Sequence, residues 1–221
     1  MADFRLVLAT GNRHKVSELF AILEPLLPGL TVDQIATTRD FDVPEPVEDA
    51  PSFEGNALIK ARALAEATGL PVIADDSGLA VDILGGAPGI FSARWCGHHG
   101  DDKANLTLLL NQLADVPAQY RGAKFVCAAA LVVPQDAGAQ DTDTSDTSPG
   151  EGETVEVGEM LGRLITEPRG DGGFGYDPIF VADGYEVTNA ELSAAEKNQI
   201  SHRGKAFRAL APAIVKALRE E

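Results

Sequence analysis

Short apolar runs that end directly in a polar, glycine-containing turn are the sequence feature that most constrains the fold of this chain. The run from Phe4 to Ala9 leads into Thr10-Gly11-Asn12, and a helical apolar pattern begins at Val16. A second run, Val72 to Ala74, leads into Asp75-Asp76-Ser77-Gly78. A buried strand that feeds a helix through such a turn opens an α/β unit, with the turn at the carboxyl end of the strand. The sequence therefore predicts an α/β fold with functional residues in these turns.

The remaining segments alternate between helix and strand patterns. Asp101 or Asp102 is placed to cap one helix, and Ser193 with Glu196 matches a capping box at the start of another. We expect the strands at 125–133 and 154–165 to pair. The predicted strands lie at 4–9, 30–35, 72–74, 125–133, 154–165 and 179–182. Apolar positions at helical spacing mark helices at 16–27, at 58–65 with its end at Gly69, at 106–113, and at 207–218 in a region that is helical from Ser193 onward.

Residues 135–154 differ from the rest of the chain. They contain no apolar residue larger than alanine, no aromatic residue, and neither lysine nor arginine. Such a composition cannot bury enough apolar surface to form a core. We predict a disordered, acidic hairpin tip between two strands of a single domain that spans residues 1–221.

The overall charge opposes general binding to phosphate backbones. The 34 acidic and 18 basic side chains give a net charge of −16, which disfavours nucleic acids and anionic membranes as partners. No stretch approaches the roughly 20 apolar residues that span a bilayer, and no signal-peptide pattern opens the chain, so we expect a cytoplasmic location. Two cysteines are too few for a disulfide scaffold, and Cys96 with His98 and His99 is a poor metal-ligand set.

The segment from Thr10 to Lys15 suits a phosphate group. Free backbone N–H groups at a helix start bind anions, Gly11 allows close approach, and Lys15 adds a positive charge. The spacing is not that of a P-loop NTPase. An ordinary helix N-cap with solvated cations gives the same short pattern, so this segment alone does not decide between the two.

Carboxylates in two segments predict a Mg²⁺ site. Asp75 and Asp76 follow a strand, and Glu48 and Asp49 lie in the acidic, proline-rich loop at 42–51. Mg²⁺ prefers oxygen ligands and keeps waters that a substrate can replace, so metal-assisted phosphoryl or nucleotidyl cleavage is the matching chemistry. A solvated aspartate turn is the alternative. The segment fits neither the Asp-x-Asp pattern of aspartyl-phosphate enzymes nor the Gly-x-Ser-x-Gly pattern of serine hydrolases.

Two later segments suit a nucleobase. Glycines frame Phe174 within residues 170–178, where the ring can stack on a base and Asp177 can accept hydrogen bonds from ring nitrogens. Lys197, His202 and Arg203 form a cationic cluster in an otherwise acidic chain. A structural glycine turn and a solvated helix face are the corresponding alternatives.

Six short motifs follow one another along the chain. They are Thr-Gly-Asn-x-x-Lys at 10–15, Phe-Glu-Gly-Asn-Ala at 53–57 with Lys60, Ala-Asp-Asp-Ser-Gly-Leu at 74–79, Gly-Gly-Ala-Pro-Gly at 85–89 running to Ser-Ala-Arg-Trp at 92–95, Gly-Phe-Gly-Tyr-Asp-Pro at 173–178, and Glu-Lys at 196–197 running to Ser-His-Arg-Gly at 201–204. In sequence, order and spacing, these motifs together resemble those of the inosine triphosphate pyrophosphatase family, and the resemblance covers nearly the whole chain. Two departures are Gly55, where many members carry an acidic residue, and the long segment at 135–154.

The resemblance implies both a fold and a reaction. The fold would be an elongated α/β structure with a mixed central sheet flanked by helices, two lobes with a cleft between them, and assembly as a homodimer. The reaction would be the Mg²⁺-dependent hydrolysis of non-standard purine nucleoside triphosphates (ITP, dITP and XTP) to the monophosphate and pyrophosphate. This activity would remove deaminated purines from the nucleotide pool.

The resemblance also implies residue roles. Asp76 would be the catalytic base and a metal ligand, with Glu48 as the second ligand and Lys60 beside them. Phe174 would stack on the base in the turn that contains Gly175 and Tyr176. The phosphates would be held by Thr10, Gly11, Asn12, Arg13, His14, Lys15, Lys60, Ser77 and Lys197. The edge of the base would be read by Asp177, His202 and Arg203, and donors such as the last two would favour the 6-keto group of hypoxanthine over the 6-amino group of adenine.

Three other functions stay open at this point. The same chemistry could act on another nucleotide, the chain could be a nucleotide-sensing module with a decayed site, or the acidic tip could bind a partner. A sensor could lose its catalytic base, whereas this chain retains Asp76 together with Lys15, Lys60 and Lys197. The enzyme is therefore the leading hypothesis.

Overall fold

The computed structural model describes residues 3–134 and 148–219 of the chain. Its helices are α1 (Arg13–Leu23), α2 (Phe53–Thr68), α3 (Asp102–Gln112), α4 (Ala194–Ile200) and α5 (His202–Arg219). Its strands are β1 (Leu6–Leu8), β2 (Ile35–Thr37), β3 (Val72–Val81), β4 (Gly122–Val132), β5 (Glu153–Leu164) and β6 (Phe180–Ala182).

The described strands form one six-stranded mixed sheet in the order β2-β1-β3-β4-β5-β6. Strand β1 runs parallel to both β2 and β3, with Leu6 opposite Ile35 and Val7 opposite Val72. Strands β5 and β6 are antiparallel. The predicted α/β class is confirmed, and so is the predicted pairing of the strands at 125–133 and 154–165, because β4 and β5 are neighbours.

The described chain divides into two compact units. The first contains residues 3–76, 128–134, 148–158 and 203–219, and the second contains residues 77–127 and 159–202. In the first unit, the apolar face of α2, which includes Leu58 and Ala61, packs in a core with Val7 and Val72. In the second unit, α3 packs through residues such as Leu109 in a core that contains aromatic side chains of Phe125, Tyr176 and Phe180.

Capping residues next to the helix ends set most of the helix boundaries. Helix α2 begins after Ser52, whose hydroxyl accepts a hydrogen bond from the Gly55 N–H, and it ends at Gly69, which has a left-handed φ of 67°. Asp101 caps α3, as one of the two predicted candidates. The Ser193–Glu196 capping box is present at the start of α4. The region predicted to be helical from Ser193 onward forms two helices, α4 and α5, that meet at Ser201, and burial of the apolar stripe confirms the second.

Two predicted elements were wrong in their extent. The predicted strand at 30–35 begins five residues later, because Thr31 and Gln34 form a capping box that folds Val32–Gln34 into a 3₁₀ turn. The predicted turn at Asp75–Gly78 lies within β3, which continues to Val81. Its polar side chains are accommodated in the strand because partners from the flanking helices bind them, as described below.

The predicted low-complexity tip lies mostly outside the described residues. Of residues 135–154, the structure describes those from Ser148 onward, and Glu153 begins strand β5. The Glu153 carboxylate accepts hydrogen bonds from Arg62 on α2 at 2.8 and 2.7 Å. Among residues 3–134 and 148–219, no helix is long and apolar enough to cross a membrane.

Candidate active site

The turn after β1 forms the capped N-terminus of helix α1. The Thr10 hydroxyl accepts a hydrogen bond from the Asn12 N–H at 3.1 Å, and the Asn12 side chain accepts one from the His14 N–H at 2.9 Å. Asn12 is therefore the N-cap of α1, and Arg13 is its first residue. The predicted strand, turn and helix are confirmed here, with backbone N–H groups at the helix start as an anion site requires.

Asp75 and Asp76 lie on opposite faces of β3 because side chains alternate along a strand. The Asp75 side chain is 2% exposed and contacts Lys15 of α1 and Arg203 of α5. The Asp76 side chain is 15% exposed and contacts Asn56 and Lys60 of α2. The two adjacent carboxylates thus occupy different environments, and Asp76 is the one that solvent can reach.

Asp75 anchors two cations of the first unit. Lys15 Nζ lies 2.8 Å from both carboxylate oxygens, and Arg203 Nε lies 3.2 Å from one of them. Burial alone raises the pKa of Asp75, but the adjacent Lys15 and Arg203 outweigh burial and hold that pKa well below its usual range. Asp75 is therefore ionised, and it fixes Lys15 beside the turn after β1.

Glu18 extends this network by one residue. It follows Lys15 by three positions on α1, and its carboxylate lies 4.0 Å from Arg203 Nη1. Burial raises the pKa of Glu18, and the nearby Arg203 opposes the rise. Two acidic side chains, Asp75 and Glu18, thus position the Arg203 guanidinium within the first unit.

Asp76 and Glu48 converge on one ammonium group. Lys60 Nζ lies 3.3 Å from Glu48 Oε2 and 3.7 Å from Asp76 Oδ1. Asn56 donates to Asp76 Oδ2 at 3.2 Å and accepts a hydrogen bond from the Ala50 N–H at 3.0 Å. The buried amide of Asn56 therefore joins the acidic loop at 42–51 to the carboxylate on β3, and it orients both.

Glu48 and Lys60 border a cavity of about 220 Å³ in the first unit. Its walls come from the turn after β1, from the acidic loop and from α2. Charged and polar groups dominate the part next to the turn, and they are Thr10, Lys15, Glu48, Lys60 and Asp75. Cations beside a helix start, with carboxylates at the same cavity, form a site for an anion that carries a divalent metal.

The carboxylate pair fits Mg²⁺ in number and type. Among the described residues, no group of three or more His, Cys, Asp and Glu side chains could hold a metal ion by itself. Mg²⁺ needs no such cage, because it is commonly bound by one or two carboxylates together with waters and substrate phosphates. Glu48 and Asp76, both within reach of Lys60 Nζ, supply that pair. Cys96 and His98, 3.9 Å apart, are no part of a larger metal-ligand group within the described chain.

Asp177 organises the glycine turn of the second unit. Its carboxylate accepts hydrogen bonds from the Phe174 N–H at 2.9 Å and from Asn189 at 3.2 Å, and it forms an ion pair with Lys197. A Cβ atom at Gly173, whose φ is +72°, would collide with this carboxylate. Asp177 is buried and holds the turn in shape, while its predicted contact with the base itself remains a prediction.

Phe174 is presented at the surface of this turn. The ring is 64% exposed, and Lys197 Nζ lies 5.0 Å from its centroid. The described contacts of Lys197 are therefore with the predicted base-stacking residue and with Asp177, and its predicted role in holding the phosphates stays a prediction. An exposed aromatic ring on a constrained turn is suited to stacking on a base.

Two further hydrogen bonds hold the glycine turn that carries Phe174. The Gly175 N–H donates to Asp102 Oδ2 at 2.8 Å, and Tyr176 donates from its hydroxyl to the Ser92 carbonyl at 2.9 Å. The His202 ring stacks on Phe125 at 5.1 Å with an interplanar angle of 14°. Ser77 lies in β3 and is partly buried, and its predicted contact with the phosphates stays a prediction.

The two units thus each carry part of the predicted site. Within the first unit, the structure brings Lys15, Asp75 and Arg203 together, and likewise Glu48, Lys60 and Asp76. Within the second, it brings together Phe174, Gly175, Tyr176, Asp177 and Lys197. Sequence reasoning missed Glu18, Asn56 and Asp102 as positioning residues. Asn56 carried a detectable signal, because it is a polar residue between apolar positions of a helix.

Comparisons with known proteins agree on one relationship. The sequence model of the Ham1 family matches residues 6–213. The chain is 53% identical over 210 residues to the dITP/XTP pyrophosphatase of Streptomyces avermitilis, covering 95% of this chain and 96% of that protein. It is 48% identical over 247 residues to the dITP/XTP pyrophosphatase of Bifidobacterium longum subsp. infantis, covering 95% and 98%.

Solved structures give the same result for the fold. A HAM1 protein from Coxiella burnetii superposes with a TM-score of 0.81 at 36% identity, covering 96% of this chain and 99% of that one. A nucleoside-triphosphatase, dITP/XTP pyrophosphatase, from Mycobacterium abscessus superposes with a TM-score of 0.73 at 45% identity, covering 95% and 100%. Both similarities extend over nearly the whole of each chain.

Proposed function

The chain belongs to the Ham1 family, and on this premise we propose that it hydrolyses dITP, ITP and XTP to the monophosphate and pyrophosphate. It is an enzyme, a nucleoside triphosphate pyrophosphatase that acts on the bond between the α- and β-phosphates. The observation that carries this function is the convergence of Glu48 and Asp76 on Lys60, at the cavity bordered by Thr10 and Lys15. The activity removes deaminated purines from the nucleotide pool.

In this function Asp76 acts as the general base. Its carboxylate is ionisable, partly exposed and oriented by Asn56, so it can accept a proton from the water that attacks the α-phosphorus. The bond between the α-phosphorus and the bridging oxygen breaks, and pyrophosphate leaves. Lys60 and Lys15 balance the negative charge that develops on the phosphate oxygens, and fixed cations in such positions lower the barrier.

Glu48 and Asp76 would hold Mg²⁺. When bound there, the ion would polarise the α-phosphate and offset the charge of the leaving pyrophosphate. Lys60 contacts both carboxylates, which keeps two negative charges together in the absence of the ion. Phe174 would stack on the purine ring, and His202 and Arg203 would be hydrogen-bond donors to its 6-keto group.

A cytoplasmic homodimer that does not bind nucleic acids completes the proposal. A net charge of −16 supports the exclusion of nucleic acids. Light scattering coupled to size-exclusion chromatography would measure the mass in solution, and a mass of a single 23.3 kDa chain would contradict the dimer.

The activity is tested by measuring pyrophosphate release from ITP, dITP, XTP, GTP and ATP with Mg²⁺, with EDTA as the control. We expect metal-dependent release that strongly favours ITP, dITP and XTP. Release of inorganic phosphate in place of pyrophosphate would contradict the bond assigned for cleavage. Binding of ITP without any release would replace the enzyme by a nucleotide-sensing protein.

A further inference from the structure

Arg39 lies against the turn that the proposed function assigns to phosphates. It belongs to the 3₁₀ turn Thr38–Asp40 that follows β2. A Cβ atom on Gly11 would come within 3.3 Å of Arg39 Nε and 3.7 Å of Nη2, so the guanidinium packs on the bare Cα of Gly11. No sequence motif pointed to this residue, because the two positions are far apart along the chain.

The backbone around Arg39 is held in place. The Thr38 N–H donates to the Thr10 carbonyl at 3.3 Å, which joins the two segments directly. The Asp40 carboxylate accepts hydrogen bonds from the Thr37 N–H and hydroxyl, both at 2.8 Å, and the Thr37 hydroxyl accepts one from the Arg39 N–H at 3.3 Å. The guanidinium therefore extends from a fixed base beside Gly11.

The guanidinium also faces open space. Together with Arg13, the first residue of α1, it lines a second cavity of about 400 Å³ in the first unit. Two acidic residues, Asp33 and Asp40, line it as well, but the Asp40 carboxylate is engaged by Thr37. Across residues 3–134 and 148–219, the Arg39 guanidinium forms neither a hydrogen bond nor an ion pair with a side chain. Its donors are thus available to an anion.

The position of Arg39 distinguishes the phosphates it can reach. Lys60, Glu48, Lys15 and Gly11 line the cavity of about 220 Å³, whereas Arg39 lines the cavity of about 400 Å³ and meets the turn at Gly11. The reacting α-phosphorus belongs with Asp76 and Lys60 in the proposed function, so Arg39, which contacts neither of them, is suited to the phosphates beyond the α-position.

We propose that Arg39 binds the β- and γ-phosphates of the substrate, and hence the pyrophosphate that leaves. The inference rests on the proposed function and adds a substrate-binding residue to it. A guanidinium presents paired donors that match phosphate oxygens, and it stays charged at any working pH. Gly11 has no side chain between this guanidinium and the phosphates, which explains why the turn keeps a bare Cα at this position.

The test compares Arg39→Gln and Arg39→Lys with the unaltered enzyme. We expect Arg39→Gln to raise the KM for ITP and to weaken inhibition by added pyrophosphate, each by at least about tenfold, the effect of losing charge-assisted hydrogen bonds. Arg39→Lys should be intermediate, because a single ammonium keeps the charge but loses the paired donors. Calorimetric binding of inorganic pyrophosphate gives a readout that does not depend on turnover.

Arg163→Gln is the matched control, because it makes the same change in net charge at a largely exposed arginine of the second unit.

A thermal melt separates a role of Arg39 in binding from a role in packing on Gly11. If Arg39→Gln lowers the melting temperature but leaves both the KM and the pyrophosphate affinity unchanged, Arg39 is a packing residue and the inference is overturned. If the unaltered enzyme releases no pyrophosphate from ITP, the proposed function fails instead, so the two failures are distinguishable.

Discussion

Asp75 and Lys15 form a two-point salt bridge that connects strand β3 to helix α1. Lys15 Nζ lies 2.8 Å from each carboxylate oxygen, while the Asp75 side chain is almost fully buried. The two residues are 60 positions apart in the chain. The bridge fixes a cation beside the proposed phosphate turn, so Asp75 serves the site by positioning Lys15.

We expect Asp75→Asn to lower the free energy of unfolding by about 3 kcal/mol, because it leaves Lys15 and Arg203 without their shared counter-charge. This loss is at the lower end of the range for removing one partner of a buried ion pair, because the Lys15 side chain is partly exposed. Urea unfolding monitored by circular dichroism at pH 7 measures the difference. A variant as stable as the unaltered chain would show that this network contributes nothing to folding.

The same pair predicts how stability depends on pH. The pKa of Asp75 is lowered in the folded chain, since Lys15 and Arg203 outweigh the effect of burial. A lowered folded-state pKa stabilises the protein above the unfolded-state value, near 4, and that contribution is lost as the pH falls toward the folded-state pKa. The stability difference between the unaltered chain and Asp75→Asn should therefore be constant above about pH 5 and shrink below about pH 4. A difference that grows on acidification would contradict the ion pair.

We expect Asp76→Asn to lower kcat for ITP by about a hundredfold to ten-thousandfold, the usual contribution of a general base. The KM should change little, because Asn keeps an oxygen that can accept the hydrogen bond from Asn56. Initial rates of pyrophosphate release give both constants, and Asp115→Asn, on an exposed aspartate, is the control for the change of charge. Near-normal turnover in Asp76→Asn would remove this residue from the role of base.

Elements set by neighbouring residues could be predicted from the sequence. The turn after β1, the caps of α3 and α4 and the stripe of α5 depend on residues within a few positions of one another. The placement of Asp75 and Asp76 could not be predicted, because a strand and a turn differ here only through partners on α1, α2 and α5. By residue type alone the two carboxylates are equivalent, although the family resemblance singles out Asp76, and strand alternation separates them into a buried anchor and a carboxylate that solvent can reach.

Long-range positioning residues were missed for the same reason. Asn56 joins the acidic loop to Asp76, and Asp102 holds the turn that carries Phe174 from 73 positions away. Asn56 stood out only as a polar residue between apolar positions of a helix, and the contact of Asp102 leaves no periodic or composition signal. The motif residues with proposed binding and catalytic roles were recognisable in the sequence, whereas the residues that orient them became visible only in the assembled strands and helices.

Asp102 gives a prediction for the base-binding turn. We expect Asp102→Ala to raise the KM for ITP by about threefold to tenfold, because the Gly175 N–H loses its acceptor and the turn that presents Phe174 loosens. Asp102→Asn retains an acceptor oxygen and should stay within about twofold of the unaltered enzyme, since a neutral acceptor still bonds the N–H. Steady-state kinetics on both variants make the comparison. Equal effects in the two would point to the lost charge at the start of α3, rather than to the hydrogen bond.

His202 provides the last prediction, which concerns the choice of base. The imidazole is buried and stacks on Phe125, so its nitrogen atoms are held in a fixed direction. A donor held toward the 6-keto group of hypoxanthine is left unpaired against the 6-amino group of adenine, which costs about 1 to 3 kcal/mol. We expect His202→Ala to lower the ratio of kcat/KM for ITP over ATP by at least about tenfold.

A second variant separates this hydrogen bond from packing. His202→Phe keeps an aromatic ring against Phe125 and removes the donor, so it should lose the preference for ITP as fully as His202→Ala while remaining closer to the unaltered chain in thermal stability. Competition between ITP and ATP in one reaction measures the ratio directly. If His202→Phe retains the preference and His202→Ala loses it, the stacked ring shapes the pocket, and the donor that selects the keto group must be another residue.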